Sequence, residues 1–279
     1  MGAPDLQGVW DYRTMTPLER PREFAGKTTL TREEAAAYER SQGERLDDYD
    51  RSPSVHAKWW LDNGRQLTSD NRTSFIISPT DGRLPTSTDE SKTRAATRAE
   101  ARRLTGGVED RSLSEHCITF GIVSLPRAYN NNVQVLQTPT SVALIAEMIH
   151  NVRVIPLDGR PHLSDDINQW DGDARGHWDG DTLVVETRNF SPKGSFLGAT
   201  EDLRLVERFT RVGPDRLDYE VTVNDARTCG EPWTALVPLN RSRQPIFEYA
   251  CHDGNLGLYN LLYNARFAEN VESVHAGSK

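Results

Sequence analysis

Three of the chain's seven histidines, His150, His162 and His177, fall within residues 147–190, together with Arg153, Arg175 and two copies of Trp-Asp-Gly-Asp, starting at Trp170 and Trp178. Imidazole is the side chain whose unperturbed pKa lies nearest physiological pH, so a histidine beside a carboxylate can act as general acid or base. His150 is the first candidate. Val142, Leu144, Ala146, Met148 and His150 alternate along one face of a strand pattern, and an inward face would set the imidazole at the edge of an apolar cavity. His177 precedes the second Trp-Asp-Gly-Asp. His252 follows the strand-like run 246–251, where Ile246, Glu248, Ala250 and His252 share one face and Phe247, Tyr249 and Cys251 the other. Glu248 and His252 would stand about 13 Å apart at about 3.3 Å per residue, able to flank one ligand without touching.

The expected catalytic set is therefore His150, His177, His252 and Glu248. Arg153 and Arg175 would hold a carboxylate or phenolate. Tyr129, Asn131 and Tyr249 would supply hydrogen bonds, and Trp170 and Trp178 an apolar wall. Each has a structural counterpart: a histidine satisfied by backbone, a charged solvent face, a polar turn at Tyr129-Asn-Asn-Asn132. The second Trp-Asp-Gly-Asp reads as a hairpin turn, because glycine accepts positive φ.

Metal chemistry finds little purchase. His150, His162 and His177 lie 12 and 15 positions apart, with no close HxxxH pair. Asp165, Asp166, Asp171 and Asp173 could offer oxygens to calcium, but no EF-hand loop with its terminal Glu is present. No Gly-rich phosphate loop, GxSxG elbow or HExxH occurs either. No metal and no cofactor are expected.

The elements that must position these residues are mostly strands. Candidates are 117–122, 132–138, 141–149, 153–157, 182–187, 203–212, 216–224, 233–239 and 246–251, joined by short turns. Gly8-Val-Trp10 opens a further strand, and 72–78 another, ended by the turn Pro79-Thr-Asp-Gly82. Thr31-Arg-Glu-Glu34 is a capping box for a helix to about Arg45, and 89–104 is a second, exposed helix. Glu207, Arg208, Tyr219 and Glu220 read as cross-strand pairs on the outer face of a hairpin. The run 256–267 predicts a short closing helix, with a mobile tail from Glu269. The pattern predicts a mainly β, antiparallel, lipocalin-like barrel with two peripheral helices, or else a two-sheet sandwich. Residues 1–279 form one β-barrel domain in this reading, with helical decoration at about 31–105.

A formal net charge of −8 with scattered arginines argues against a nucleic-acid partner. No window reaches the roughly 18 apolar residues of a membrane helix. No leader is visible before the first strand, although an exported chain whose leader was replaced by Met would look the same. Three cysteines make no disulfide framework: Cys229 and Cys251 could pair as strand neighbours, and three free thiols, Cys117 included, is the plainer reading.

Taken together, PDLxGVWD, TPLERP, EMIHNVRVIPLDGRPH, RGHWDGDTLVVETRNF, LxLVERFTRV and FEYACHDGNLGL resemble a large family of bacterial secreted or periplasmic proteins. That resemblance covers nearly the whole chain and implies export and a lipocalin-like β-rich domain, with no catalytic roles to carry over. A more distant likeness is to cofactor-free lyases acting on lignin-derived aromatic dimers. The leading expectation is a cofactor-independent lyase or isomerase that acts by histidine acid/base chemistry on a hydrophobic aromatic or terpenoid small molecule. The alternatives are a lipocalin-type carrier without chemistry and a metal-dependent hydrolase.

Overall fold

The computed structural model describes residues 2–51, 64–121, 125–193, 196–254 and 256–276. Its strands are β1 (Gly8–Asp11), β2 (Ile76–Ser78), β3 (Asn132–Gln137), β4 (Ser141–Ala146), β5 (Val152–Pro156), β6 (Asp173–Asp179), β7 (Thr182–Arg188), β8 (Arg204–Gly213), β9 (Arg216–Asn224) and β10 (Trp233–Ser242). The helices are α1 (Arg32–Arg51), α2 (Asp89–Leu104) and α3 (Gly257–Ala276). All ten strands belong to one hydrogen-bonded sheet rather than to two packed sheets, in the order β5-β4-β3-β1-β10-β9-β8-β7-β6, with β2 on the free edge of β10.

Period-two alternation drives this sheet. On β9 the residues Leu217, Tyr219, Val221 and Val223 are buried, and Leu205, Glu207 and Phe209 face them from β8. Turn chemistry fixes the registers. Gly180 (φ 57°) and Asp181 connect the pair Asp179↔Thr182, and Pro214-Asp215 connects Gly213↔Arg216. The capping box forms as read, with the Glu34 N–H donating to Thr31 Oγ1 at 3.2 Å and the Thr31 N–H donating to Glu34 Oε2 at 3.0 Å. The concave side is a continuous core that includes Trp10, Phe75, Val135, Val142, Ile155, Leu183, Val185, Leu217 and Val237.

Every neighbouring pair along the nine-strand path is antiparallel, so its two end strands, β5 and β6, run in the same direction. The sheet curls until these ends meet through side chains. A Cβ at Gly176 on β6 would lie 2.8 Å from Ile155 Cγ2 and 2.7 Å from Leu157 Cδ2, so a larger residue there would push these side chains aside. Among the described residues no backbone ladder joins β5 to β6.

Several expectations are corrected. Residues 246–251 are not a strand: the Phe247 N–H donates to Glu147 Oε1, Pro245 offers no donor, and Cys251 is tied to Cys117 by a disulfide. The two faces proposed for Glu248/His252 and Tyr249/Cys251 therefore do not exist. Residues 117–121 are not a strand either, since Cys117 sits at φ 57°; Ile122 lies outside the described residues. The strand toward His150 stops at Ala146, because Ile149 and His150 adopt φ of 58° and 45° and turn the chain. Strand 72–78 shortens to Ile76–Ser78. β6 was absent from the candidate strands, although the hairpin turn read at Trp178-Asp-Gly-Asp181 requires a strand before it, and that hairpin forms. Cys229 is free, while Cys117 pairs with Cys251. Glu207 and Tyr219 face the core rather than solvent, where they bond each other. The segment from Glu269 continues α3 as helix to Ala276.

Candidate functional site

The polar centre of the concave side is built on Arg153. Flanked on β5 by outward-facing Val152 and Val154, its guanidinium enters the core and donates to both oxygens of Glu207, at 3.0 and 2.6 Å. Thr187 Oγ1 lies 3.3 Å from the same guanidinium, and the Tyr219 hydroxyl donates to Glu207 Oε1 at 2.9 Å. Burial disfavours a charged Arg153, but the Glu207 carboxylate outweighs it and raises the arginine pKa. The carboxylate that Arg153 was expected to take from a substrate is thus supplied internally.

Beside this network the seam between β5 and β6 opens into a cleft of about 620 Å³. Val152, Arg153 and Val154 form one wall, and residues 168–174 the other. Trp170 stands there half-exposed. Asp171 is braced by two donors, Thr119 Oγ1 at 2.8 Å and Asn151 Nδ2 at 2.7 Å. Asp173 accepts from His162 Nδ1 at 2.9 Å, from the Leu163 N–H at 3.0 Å and from Arg175. Its burial favours the neutral acid, yet the Leu163, His162 and Arg175 donors prevail and hold its carboxyl below the usual range. Between the two aspartates, Gly172 (φ 70°) leaves no space for a Cβ, which would meet Arg188 O at 2.8 Å. The first Trp-Asp-Gly-Asp is therefore a site-building turn, and the second a hairpin.

A second cleft, about 490 Å³, lies at one end of the sheet and is lined by Tyr129, Asn132, Glu147, Arg241, Arg243 and Phe247 among others. Glu147 is buried, accepting from the Phe247 N–H at 3.1 Å and from Asn132 Nδ2 at 2.8 Å. Nearby, His150 Nδ1 donates to the Tyr249 carbonyl at 3.1 Å. Burial, then the adjoining Tyr129, pushes the Tyr249 phenol up.

Known structures resemble this chain distantly. One is a secretary abundant heat soluble (SAHS) protein from Ramazzottius varieornatus, 14% identical, with a TM-score of 0.28 over 40% of this chain and 70% of that one. Another is the fluorescent protein UnaG N57A mutant, 10% identical, with a TM-score of 0.26 over 40% of this chain and 72% of that one. No family model matches the chain, and no curated protein does.

The expected site residues thus divide. Arg153 and Trp170 line the seam cleft, and Arg175 reaches it through Asp173. Tyr129, Tyr249 and His150 gather at the sheet end, where Asn131 is buried and closes the loop by bonding Arg127 backbone N and O at 2.7 and 2.9 Å. His177 is exposed on β6 opposite Val184, while Trp178 packs against the core. Glu248 and His252 are exposed on the irregular segment after β10. Thr119, Asn151 and His162 were missed as site-builders. The duplicated Trp-Asp-Gly-Asp was the available signal for Asp171 and Asp173, but not for their partners. Among the described residues no group of three or more His, Cys, Asp or Glu side chains is placed to hold one ion.

Proposed function

We propose that the chain binds a small molecule with a flat apolar face and polar substituents, seated at the seam of a partly closed barrel. One observation carries this reading. The concave side is filled by apolar side chains and the Arg153–Glu207–Tyr219 network, whereas a ligand-sized cleft opens between β5 and residues 168–174. Its volume lies within the roughly 300–1,000 Å³ of ordinary ligand sites. Trp170, Val152 and Val154 supply the apolar contact, and Asn168 and Gln169 the amides. The oxygens of Asp171 and Asp173 already accept internal donors, which suits them to orient a ligand's N–H or O–H rather than to abstract protons. A carrier in an oxidising, extracytoplasmic compartment is the concrete form of this proposal, consistent with the Cys117–Cys251 disulfide.

A cofactor-independent lyase or isomerase is the second reading, favoured by the gathering of Tyr129, Tyr249 and His150 beside the sheet-end cleft. A panel of aromatic and terpenoid alcohols and acids, screened by thermal shift and mass spectrometry, separates the two. Binding without chemical change, abolished by Val154→Arg, supports the seam carrier. Turnover that survives Val154→Arg and is lost in His150→Ala overturns it in favour of the enzyme.

A further inference from the structure

A third cleft, about 510 Å³, lies between α2 and residues 109–118, and Trp170 borders it as well as the seam. Arg98 and Arg102 project into it from successive turns of α2, and Lys193 from the far side. Among the described residues none of these three side chains has an ion-pair or hydrogen-bond partner. Their neighbours behave differently. Arg94 bonds Glu90 and Thr228, and Arg111 bonds Glu115, so acidic partners were available along the same surface. Ala101, Leu113, Ile118, Trp170 and Pro192 give the wall its apolar part, and Thr97, Arg111, Ser112 and His116 complete its polar part. Glu109 and Asp110 stand on the opposing wall, and Asp110 is turned onto the Gly107 N–H at 2.9 Å.

Unpaired cations around an apolar floor have a definite ligand complement. We propose that this cleft is a binding site for an organic anion, an apolar ring or chain whose carboxylate is held by Arg98, Arg102 and Lys193 while its body lies against Leu113, Ile118 and Trp170. A guanidinium binds a carboxylate through paired, charge-assisted donors, and partial desolvation strengthens the contact. Burial, and then the adjacent Arg94 and Arg102 guanidiniums, push the Arg98 pKa down, and a bound anion would offset this. The site is separate from the seam cleft apart from Trp170, so it stands whether or not the seam binds anything.

The test is calorimetric titration of the full chain with naphthalene-2-carboxylate and with uncharged naphthalene-2-carboxamide. The carboxylate should bind at least about tenfold more tightly than the amide, a difference that shrinks as salt is raised. The triple variant Arg98→Gln, Arg102→Gln, Lys193→Gln should lose that preference, whereas Val154→Arg at the seam should leave it intact. Equal binding of acid and amide by the unaltered chain would overturn the proposal, as would loss of the preference in Val154→Arg with retention in the triple variant. If the triple variant does not fold, the single variant Arg98→Gln is read in its place, and an undiminished preference for the acid there would overturn the proposal.

Discussion

Arg153 on β5 and Glu207 on β8 meet in a two-point ion pair inside the sheet, 2.6 and 3.0 Å apart, from strands that are not neighbours. The pair spans the concave side and holds the β5 edge over the core. Both side chains are almost fully buried, at 8% and 1% exposure, so neither charge can turn to water when its partner is removed.

Removing one partner should therefore be costly. Arg153→Ala or Glu207→Ala is expected to destabilise the fold by ~3–5 kcal/mol, measured by urea unfolding. The joint replacement Arg153→Met, Glu207→Leu, with Tyr219→Phe to avoid an orphaned hydroxyl, should recover most of that loss. A single variant as stable as the parent would mean the pair is not buried as described.

The Cys117–Cys251 link closes a span of 134 residues and anchors the segment after β10. Replacing both cysteines with alanine should lower stability by ~2–4 kcal/mol. Alkylation under non-reducing, denaturing conditions should label Cys229 alone, and label on Cys117 or Cys251 would refute the pairing.

How far these features were legible in the sequence depends on the range of the forces behind them. Residues 216–224 announce a strand because Leu217, Tyr219, Val221 and Val223 alternate locally, and the boundaries came out as read. β6 did not, since Asp173, Arg175, Gly176 and His177 lack strand propensity; the residues are held there by pairing with β7 and by the side chains that Gly176 admits. Glu207 looked like a surface charge because its partner, Arg153, is 54 residues away and on a strand several places distant in the sheet. His150 continued an apolar alternation, but two residues of positive φ diverted it, and no local signal marks that turn. The seam cleft was half legible: Trp170 and Arg153 were picked from their types, whereas Thr119 and Asn151 reach Asp171 only through tertiary folding.

Asp173 provides a pH-dependent prediction. Its folded pKa lies below the usual value, so its contribution to stability is present above the unfolded pKa, about 3.9, and is lost as pH falls through the folded one. Asp173→Asn should be clearly less stable than the parent at pH 7, and the difference should shrink as the pH is taken below about 3.9. Urea midpoints at neutral and acidic pH give the answer. A difference that grows on acidification would contradict the ionised clamp on His162, Leu163 and Arg175.

The proposed seating of a ligand at the seam can be tested directly. Backbone amide chemical-shift mapping, with any panel compound that stabilises the chain, reads this residue by residue. Perturbations should concentrate at Val152–Val154 and at residues 168–174, with the amides of Tyr129, Glu147 and Tyr249 unmoved. Perturbations centred on Tyr129, Glu147 and Tyr249, with the seam silent, would contradict it.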